Sequence, residues 1–229
     1  MKELELIYVG KTKNVYKNSD GNVVLKLKDD ATGKNGVFDP GENSVALSIK
    51  GLGRESLKLT KYYLGKVAEK GIPTHYIDSD LDEVTMTVKP ATVFGKGVEF
   101  ICRRRAVGSF LKRYGSYANE GDSLDYLVEV TLKDDDRQDP PITKDSLIML
   151  NIMSAEEFEK CKQYTKDITK IINDDLMSKG MELYDIKFEF GKNNGETILI
   201  DEISGGCMRV YKGKEKLQPM DLTKLILGK

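Results

Sequence analysis

The sequence runs Tyr184-Asp185-Ile186-Lys187-Phe188-Glu189-Phe190-Gly191 and, after a short polar turn, Thr197-Ile198-Leu199-Ile200-Asp201-Glu202-Ile203-Ser204. Polar and apolar side chains alternate along the first run, which is the pattern of a strand with one buried face. The second run is rich in β-branched residues and ends on two acids. Glycines bracket two asparagines in between, as in a hairpin turn. The pattern predicts a hairpin in which Glu189 lies near Asp201 and Lys187 shares their face.

This predicted hairpin has two interpretations. Two carboxylates on neighbouring strands, with a lysine beside them, suit a Mg²⁺ ion that holds nucleotide phosphates. The alternative is the solvated polar face of an ordinary sheet, because antiparallel strands place polar residues outward without any function. The pattern of residues alone leaves both interpretations open.

The composition is that of a chain with a hydrophobic core and no charge bias. Its 229 residues are 39% hydrophobic and 32% charged, and 36 basic residues nearly balance 37 acidic ones, for a net charge of -1. The length fits one large domain or two closely packed lobes. The charge balance argues against nucleic acid or a membrane surface as a partner, and no apolar run approaches the roughly 20 residues of a membrane span. The acidic start, Met1–Leu6, is unlike a signal peptide, so we expect a cytoplasmic protein.

The scarcity of histidine and cysteine narrows the chemistry. His75 is the one histidine, and Cys102, Cys161 and Cys207 lie far apart in the chain. This spacing fits neither a zinc site nor a disulfide framework, and a single histidine argues against a Ser-His-Asp triad. Because His75 follows a predicted loop into a strand, we prefer a packing role for it.

The N-terminal part predicts an antiparallel sheet with one helix, the α+β class. Residues 6–16 indicate strand, tight turn and strand, and the sequence Gly10, Lys11, Lys13 in that turn is a weak phosphate-binding signal that many hairpins share. Residues 29–53 are glycine-rich and polar, which predicts a mobile loop that is either an active-site lid or plain surface. Further along, the patterns predict a helix at 55–70, strands at 75–77 and 83–89, an acidic turn at 78–82 and an interlobe hinge at 90–97.

Basic residues concentrate in the segment from Arg103 to Gly115. A helix N-terminus near Gly108 and Ser109 would add free amides, so the segment favours an anionic small molecule such as a sugar phosphate. A short RNA-binding patch is the alternative, but Phe110 and Tyr114 stand at helical spacing and are better explained by packing.

The C-terminal part contains the clearest helix signal. Ser154 followed by acids is a good N-cap, and an apolar stripe predicts a helix from there to about Lys179. After Tyr211 the sequence indicates a short helix or none.

Taken together and in order, these motifs resemble the SAICAR synthetase family of purine biosynthesis. The hairpin motifs are the most specific, and the basic segment is nearly as specific. The matching pieces span nearly the whole chain: Tyr8–Tyr16, Lys28–Thr32, Gly71–His75, Arg103–Gly115, Asp139-Pro140, Asp185–Gly191 and Asp201–Ser204 with Arg209.

The resemblance implies an ATP-dependent ligase. In that family ATP activates the carboxylate of carboxyaminoimidazole ribotide, and the amine of aspartate then displaces phosphate to form an amide. The implied fold is two-lobed α+β, with a kinase-like antiparallel lobe at residues 1–92, a larger lobe at 93–229 and the nucleotide in the cleft between them. Family members also tend to associate, so we expect a homo-oligomer.

The resemblance also implies roles for individual residues. Gly10, Lys11, Lys13 and Lys89 would contact ATP, and Glu189 and Asp201 would bind both Mg²⁺ and the nucleotide. The implied catalytic residues are Lys187, Lys89 and Asp185. The substrate-binding residues would be Arg103, Ser109, Lys112, Arg113, Ser204 and Arg209.

One departure bears on the second substrate. The family pattern Asp-Glu-x-Ser-Pro-Asp reads Gly205-Gly206 at its end here, so a carboxylate near the substrate is replaced. A related ligase with another amine or carboxylate is therefore an alternative. A small-molecule kinase, with Asp185 as its general base, and a non-catalytic nucleotide-binding module are the alternatives from other classes.

Overall fold

The computed structural model describes residues 4–228. The first part of the chain forms two antiparallel sheets and a long helix. Its elements are β1 (Leu4–Val9), β2 (Lys13–Asn18), β3 (Val23–Leu27), β4 (Asp30–Lys34), β5 (Val37–Phe38), β6 (Val45–Ser48), α1 (Leu52–Glu69), β7 (Tyr76–Asp80) and β8 (Thr85–Val88). The larger sheet has the order β1-β2-β3-β8-β7 and the smaller one β5-β4-β6.

The rest of the chain builds a second large antiparallel sheet covered by helices. Its elements are β9 (Thr92–Val93), β10 (Val98–Arg105), α2 (Ser109–Tyr114), β11 (Ser123–Leu132), a 3₁₀ turn (Asp135–Arg137), α3 (Lys144–Met149), α4 (Ala155–Met177), β12 (Glu182–Asn193), β13 (Glu196–Ile200), β14 (Met208–Lys212), β15 (Glu215–Lys216) and α5 (Pro219–Leu227). The main order is β11-β10-β12-β14-β15, and β9 and β13 also pair with β12. The α+β class is confirmed.

The predicted hairpin is confirmed as β12 and β13, and β12 is the central strand of its sheet. β10 and β9 pair along one edge of β12, and β14 and β13 pair along the other. Ile186, Phe188 and Phe190 are at most 2% exposed, so each contributes about 2–3 kcal/mol of hydrophobic stabilisation. The side chains between them, Lys187 and Glu189, therefore point to the opposite face of the strand, which lines the cleft described below.

Helix α4 covers the buried face of this sheet and begins where the capping signal predicts. The Ser154 hydroxyl accepts a hydrogen bond from the Glu157 amide, and the Glu157 carboxylate accepts one from the Ser154 amide. Two orphan amides are satisfied reciprocally, which is worth about 1 kcal/mol. Ile168, Ile172 and Leu176 of this helix are fully buried.

Residues 29–53 differ from the sequence prediction because they are not a loop. Strands β4, β5 and β6 form a small sheet there, and Ala31, Phe38 and Leu52 pack into a core of their own. Helix α1 also begins earlier than predicted. The Asp29 carboxylate accepts hydrogen bonds from the amides of Gly51 and Gly53 at 2.9 and 3.0 Å, so a residue distant in sequence caps the helix.

Two smaller predictions concern the end of each lobe: the acidic turn is wrong, and the short C-terminal helix is present. Asp78 and Asp80 lie in β7 rather than in a turn, and His75 precedes that strand. The C-terminal segment forms the nine-residue helix α5, which packs on α1 and buries Leu222 and Ile226. Tertiary packing stabilises so short a helix, and its local sequence pattern is correspondingly weak.

One hydrophobic core extends across the expected lobe boundary. Leu25, Met86 and Phe190 belong to a single buried cluster although they stand on opposite sides of residue 92. The lobes therefore share their packing, and their division into residues 1–92 and 93–229 stays a prediction. No helix within residues 4–228 is both long and apolar enough to cross a membrane.

Candidate active site

A cleft of about 450 Å³ opens between the first sheet, the small sheet and the β12–β13 hairpin. This volume lies in the usual range for small-molecule sites. One wall is apolar, and the facing wall carries acids and lysines. The apolar wall includes Val15, Val23, Leu25 and Val88, with Lys13 beside them on β2, and the polar wall includes Glu99, Lys133, Lys187, Glu189 and Asp201.

The turn between β1 and β2 forms one rim of the cleft. The Gly10 amide donates to the Lys13 carbonyl at 2.9 Å, and a Cβ at Gly10 would lie 2.7 Å from that same oxygen. Glycine is thus required for the tight turn. The Lys11 ammonium donates to Asp135 at 2.6 Å and to the Asn43 carbonyl at 3.0 Å, so the rim is tied to two neighbouring loops.

Asp201 lies just beyond the end of β13, and Lys13 forms a short ion pair with it across the cleft. Asp201 has a positive φ of 66°, and its carboxylate accepts the Glu202 amide at 2.8 Å. Burial opposes ionisation of this acid, but Lys13 and Lys133 outweigh burial and hold the pKa of Asp201 well below its usual range. Asp201 is therefore a carboxylate at every physiological pH.

Glu189 stands on the cleft face of β12 and is 8% exposed. The Lys133 ammonium donates to it at 2.7 Å, and Lys187 from the same strand donates to Glu99 at 2.6 Å. Glu99 also accepts the Thr131 hydroxyl at 2.9 Å. Acids and ammonium groups therefore alternate along this wall, and each of these buried carboxylates has a counter-charge.

The acids of this wall fit a hard divalent cation. Carboxylate oxygens are the preferred ligands of Mg²⁺, which commonly takes one or two of them and completes its shell with phosphate oxygens and water. Glu189 and Asp201 match that donor set. Within residues 4–228 no group of three or more potential metal-ligating side chains occurs.

His75 holds the backbone at Asp201. Its Nε2 lies 3.1 Å from the Asp201 carbonyl, which can only accept, so Nε2 carries a hydrogen. The side chain is 3% exposed, and burial lowers the pKa of His75 to about 4. A neutral imidazole with a positioning role agrees with the packing interpretation drawn from the sequence.

The basic segment forms a second polar centre around Asp185. Arg103 donates to the Asp185 carboxylate at 2.8 Å and Arg209 donates to it at 2.7 Å. Arg103 also donates to the Ser109 hydroxyl at 2.8 Å. Asp185 is 3% exposed and does not line the cleft, so the geometry makes it an anchor of two guanidinium groups.

The Arg209 guanidinium sits in a tight backbone cradle. A Cβ at Gly108 would lie 2.8 Å from its Cζ, and a Cβ at Gly41 would lie 2.5 Å from Nη2. Arg209 also donates to Asp39 at 2.5 Å, which ties β14 to the loop that follows β5. Because Gly41 and Gly108 have no side chain, they leave space for the buried Arg209 guanidinium. Gly108 also has a positive φ of 58°.

The remaining predicted site residues differ in their exposure and in their hydrogen-bond partners. Lys112 is exposed and donates to Glu42 at 2.9 Å, whereas Arg113 donates to Glu129 at 2.6 Å. Lys89 is exposed at the cleft, and Ser204 is fully buried there with its hydroxyl accepting the Gly206 amide at 3.0 Å. The structure thus places Glu189 and Asp201 at the cleft, and Arg103, Arg209 and the half-buried Ser109 in a separate cluster.

The Gly205-Gly206 departure has a packing explanation at its first position. A Cβ at Gly205 would lie 2.7 Å from the Cα of Pro219, the first residue of α5. A Cβ at Gly206 would meet only the Ser204 hydroxyl, at 3.2 Å, and Glu202, at 3.9 Å. The close approach of α5 therefore accounts for Gly205 without any change of substrate.

Several charged residues of the site escape prediction from the sequence. Lys133 follows a β-branched strand just before an acidic run, and Glu99 stands near the start of another strand, so neither position is distinctive. Asp39 and Glu42 flank a Pro-Gly pair, which marks a turn but not its contact with Arg209 or Lys112. Each of these pairings joins different strands or loops, so no short window of sequence contains both partners.

Comparison with known proteins gives consistent matches. A family model described as SAICAR synthetase matches residues 6–225. A phosphoribosylaminoimidazole-succinocarboxamide synthase of Clostridium tetani is 58% identical over 98% of this chain and all of that protein, and one of Finegoldia magna is 33% identical over 98% and 94%. Among solved structures, a SAICAR synthetase (type 2) in complex with ADP is 28% identical with a TM-score of 0.85, covering 99% of this chain and 98% of that one.

Proposed function

The chain belongs to the SAICAR synthetase family, and from that premise we propose that it joins carboxyaminoimidazole ribotide to L-aspartate at the expense of ATP. It is an ATP-dependent ligase of purine biosynthesis, and the products are SAICAR, ADP and phosphate. The observation that carries the proposal is the β12–β13 hairpin, which brings Glu189, Asp201 and Lys187 to one wall of a nucleotide-sized cleft.

We assign the nucleotide to the cleft. The apolar wall suits the flat face of a base, and the opposite wall supplies cations for phosphates. Gly10 and Lys11 would cover the phosphates from the rim, and Lys13 and Lys89 would contact them from within. Glu189 and Asp201 would hold Mg²⁺, which when bound neutralises the negative charge of the phosphate oxygens.

We assign the ribotide phosphate to the cluster built on Asp185. Arg103 and Arg209 present guanidinium groups that match phosphate oxygens bidentately, and the Ser109 hydroxyl adds a neutral donor. Ser204 would contact the substrate from the cleft side. Lys112 and Arg113 pair with Glu42 and Glu129 and would contribute electrostatic attraction.

The reaction needs positioning and charge neutralisation more than a protein nucleophile. An oxygen of the ribotide carboxylate attacks the γ-phosphorus, the bond to ADP breaks, and an acyl phosphate results. The amine nitrogen then attacks the acyl carbon, phosphate leaves, and the nitrogen loses a proton. Lys187 and Lys13 stabilise the charge that develops on the transferred phosphoryl oxygens.

Asp185 does not suit the kinase alternative. Two arginines bind its carboxylate in a buried site, so it faces no hydroxyl acceptor in the cleft. We therefore propose that it acts by orienting Arg103 and Arg209, in place of the general-base role that a kinase would require.

Phosphate accounting tests the proposal. The purified protein is incubated with Mg-ATP and the ribotide, with and without aspartate, and both free phosphate and the organic product are measured. Phosphate release that requires aspartate, with a succinocarboxamide product by mass, is expected. A phosphorylated organic product would indicate a kinase, and product formation only with another amine would assign the Gly206 departure to substrate choice.

The assembly and cellular location extend the same proposal. We propose a cytoplasmic homo-oligomer that acts on small molecules and has no nucleic-acid or membrane partner. Light scattering of the purified protein at several concentrations tests the assembly, and a monomer at all of them would refute it.

A further inference from the structure

Lys216 lies on the same face of its sheet as Arg209, one of the two arginines that bind Asp185. In the β14–β15 ladder Lys216 is directly opposite Tyr211, and cross-strand partners project to the same face. Arg209 is two residues before Tyr211 in β14 and therefore shares that face, whereas Met208 and Val210 point into the core. The register alone thus places the Lys216 side chain beside Arg209.

A second contact gives the same placement independently. The Lys216 ammonium lies 5.7 Å from the centre of the Phe38 ring, and the next residue, Asp39, accepts a hydrogen bond from Arg209. Lys216 is half-buried, yet no carboxylate within residues 4–228 comes close enough to form an ion pair with it. It is a cation held at the Asp39–Arg209 pair without an acid of its own.

The ion-paired charges of this cluster balance one another, so Lys216 has no counter-charge among them. Three guanidinium groups pair with three carboxylates. The arginines are Arg103, Arg113 and Arg209, and the acids are Asp39, Asp185 and Glu129. Lys216 adds a further positive charge. Burial and the repulsion of Arg209 lower the pKa of Lys216, and they outweigh the opposite effect of the acids Asp39, Asp185 and Glu120. A bound phosphate would supply the negative charge that the ammonium lacks.

We propose that Lys216 is a third cationic ligand for the phosphate of the phosphoribosyl substrate, beside Arg103 and Arg209. The inference rests on the proposed function, because it assumes that this cluster takes the ribotide phosphate. The two guanidinium groups are held rigidly by Asp185, whereas the lysine ammonium is a point charge on a flexible stem and can adjust to the phosphate as it binds.

The test compares two lysines of the β14–β15 hairpin. Lys216→Met keeps an unbranched apolar side chain at this position and removes the charge, and Lys216→Arg keeps a charge. Lys214→Met is the matched control, because Lys214 is exposed and the net charge changes equally. Ribose 5-phosphate binding by calorimetry and the KM for ribotide, ATP and aspartate are measured for each, with ribose as the probe that lacks a phosphate.

Loss of one charged hydrogen bond predicts about a tenfold weaker affinity for ribose 5-phosphate, and about a tenfold higher ribotide KM, in Lys216→Met. The KM for ATP and aspartate, and the response to ribose, stay within about twofold, and Lys216→Arg recovers most of the loss. Equal behaviour of Lys216→Met and Lys214→Met would overturn the proposal.

Failure of the inference and failure of the proposed function are distinguishable. If the wild type makes no product but binds ribose 5-phosphate in a Lys216-dependent way, the phosphate site stands and the reaction is wrong. If the wild type is active and Lys216→Met binds ribose 5-phosphate as tightly as the wild type, the ligase stands and the Lys216 assignment is wrong. Thermal midpoints that agree between the two Met variants exclude misfolding as the cause.

Discussion

His75 should make the stability of this protein depend on pH in a predictable window. Burial lowers its pKa to about 4 in the folded protein, against 6.5 for an unperturbed histidine. At a pH between these two values, His75 is therefore protonated in the unfolded chain and neutral in the folded chain. Since stability falls wherever the unfolded state binds more protons, stability is full above about pH 6.5, falls as the pH drops toward 4, and levels off below that.

The magnitude follows from the two pKa values. Relative to about pH 7.5, the His75 contribution to the free energy of unfolding falls by about 1 kcal/mol at about pH 5.5 and by about 2–3 kcal/mol at about pH 4.5. Burial is nearly complete, at 3% exposure, so solvent screening reduces this figure little. Lys13 and Lys89 add repulsion that disfavours the imidazolium further.

Urea unfolding of the wild type and His75→Gln at about pH 7.5, 5.5 and 4.5 measures the effect. Glutamine can still donate to the Asp201 carbonyl but does not titrate, and the acid response of the carboxylates is common to both proteins and cancels in the difference. The expected result is a steeper acid loss in the wild type by the amounts above. Because His75 is the one histidine, its NMR titration is unambiguous; an unperturbed pKa, or parallel acid curves for the two proteins, would refute the reasoning.

Asp201→Asn should lower kcat/KM for Mg-ATP at least about a hundredfold through loss of a metal ligand. The control Glu196→Gln, an exposed change in the same hairpin, should stay near wild type. Normal turnover of the Asn variant would remove the metal assignment. Gly108→Ala should destabilise the fold by about 1–3 kcal/mol and raise the ribotide KM, because its Cβ would meet Arg209. Gly180→Ala, with a similar positive φ and open space around it, should leave that KM unchanged, and equal KM values for the two variants would contradict the cradle. Burial raises the pKa of all three thiols to about 11 or 12. A disulfide reagent near pH 8 should therefore label no cysteine until urea unfolds the protein. Rapid labelling of the native enzyme would contradict the raised thiol pKa values.

Features that depend on short-range periodicity can be read directly from the sequence. The alternation from Asp185 to Phe190 predicts β12 with its core face and cleft face, because a strand has a period of two. Ser154 and Glu157 predict the start of α4, because a capping box is complete within four residues. The family motifs are likewise local runs, so the family is recognisable from the amino-acid sequence alone, and with it the candidate metal ligands Glu189 and Asp201.

Which charges meet depends instead on the tertiary structure. By period alone Asp185 would face the cleft, but β10 and β14 flank it with Arg103 and Arg209 and make it a buried anchor. Asp29 caps a helix that begins far along the chain, and Lys216 reaches the arginine cluster only through the β14–β15 register. These pairings follow from strand order and loop closure, which depend on the packing of the whole chain and leave no signal in any short window of sequence.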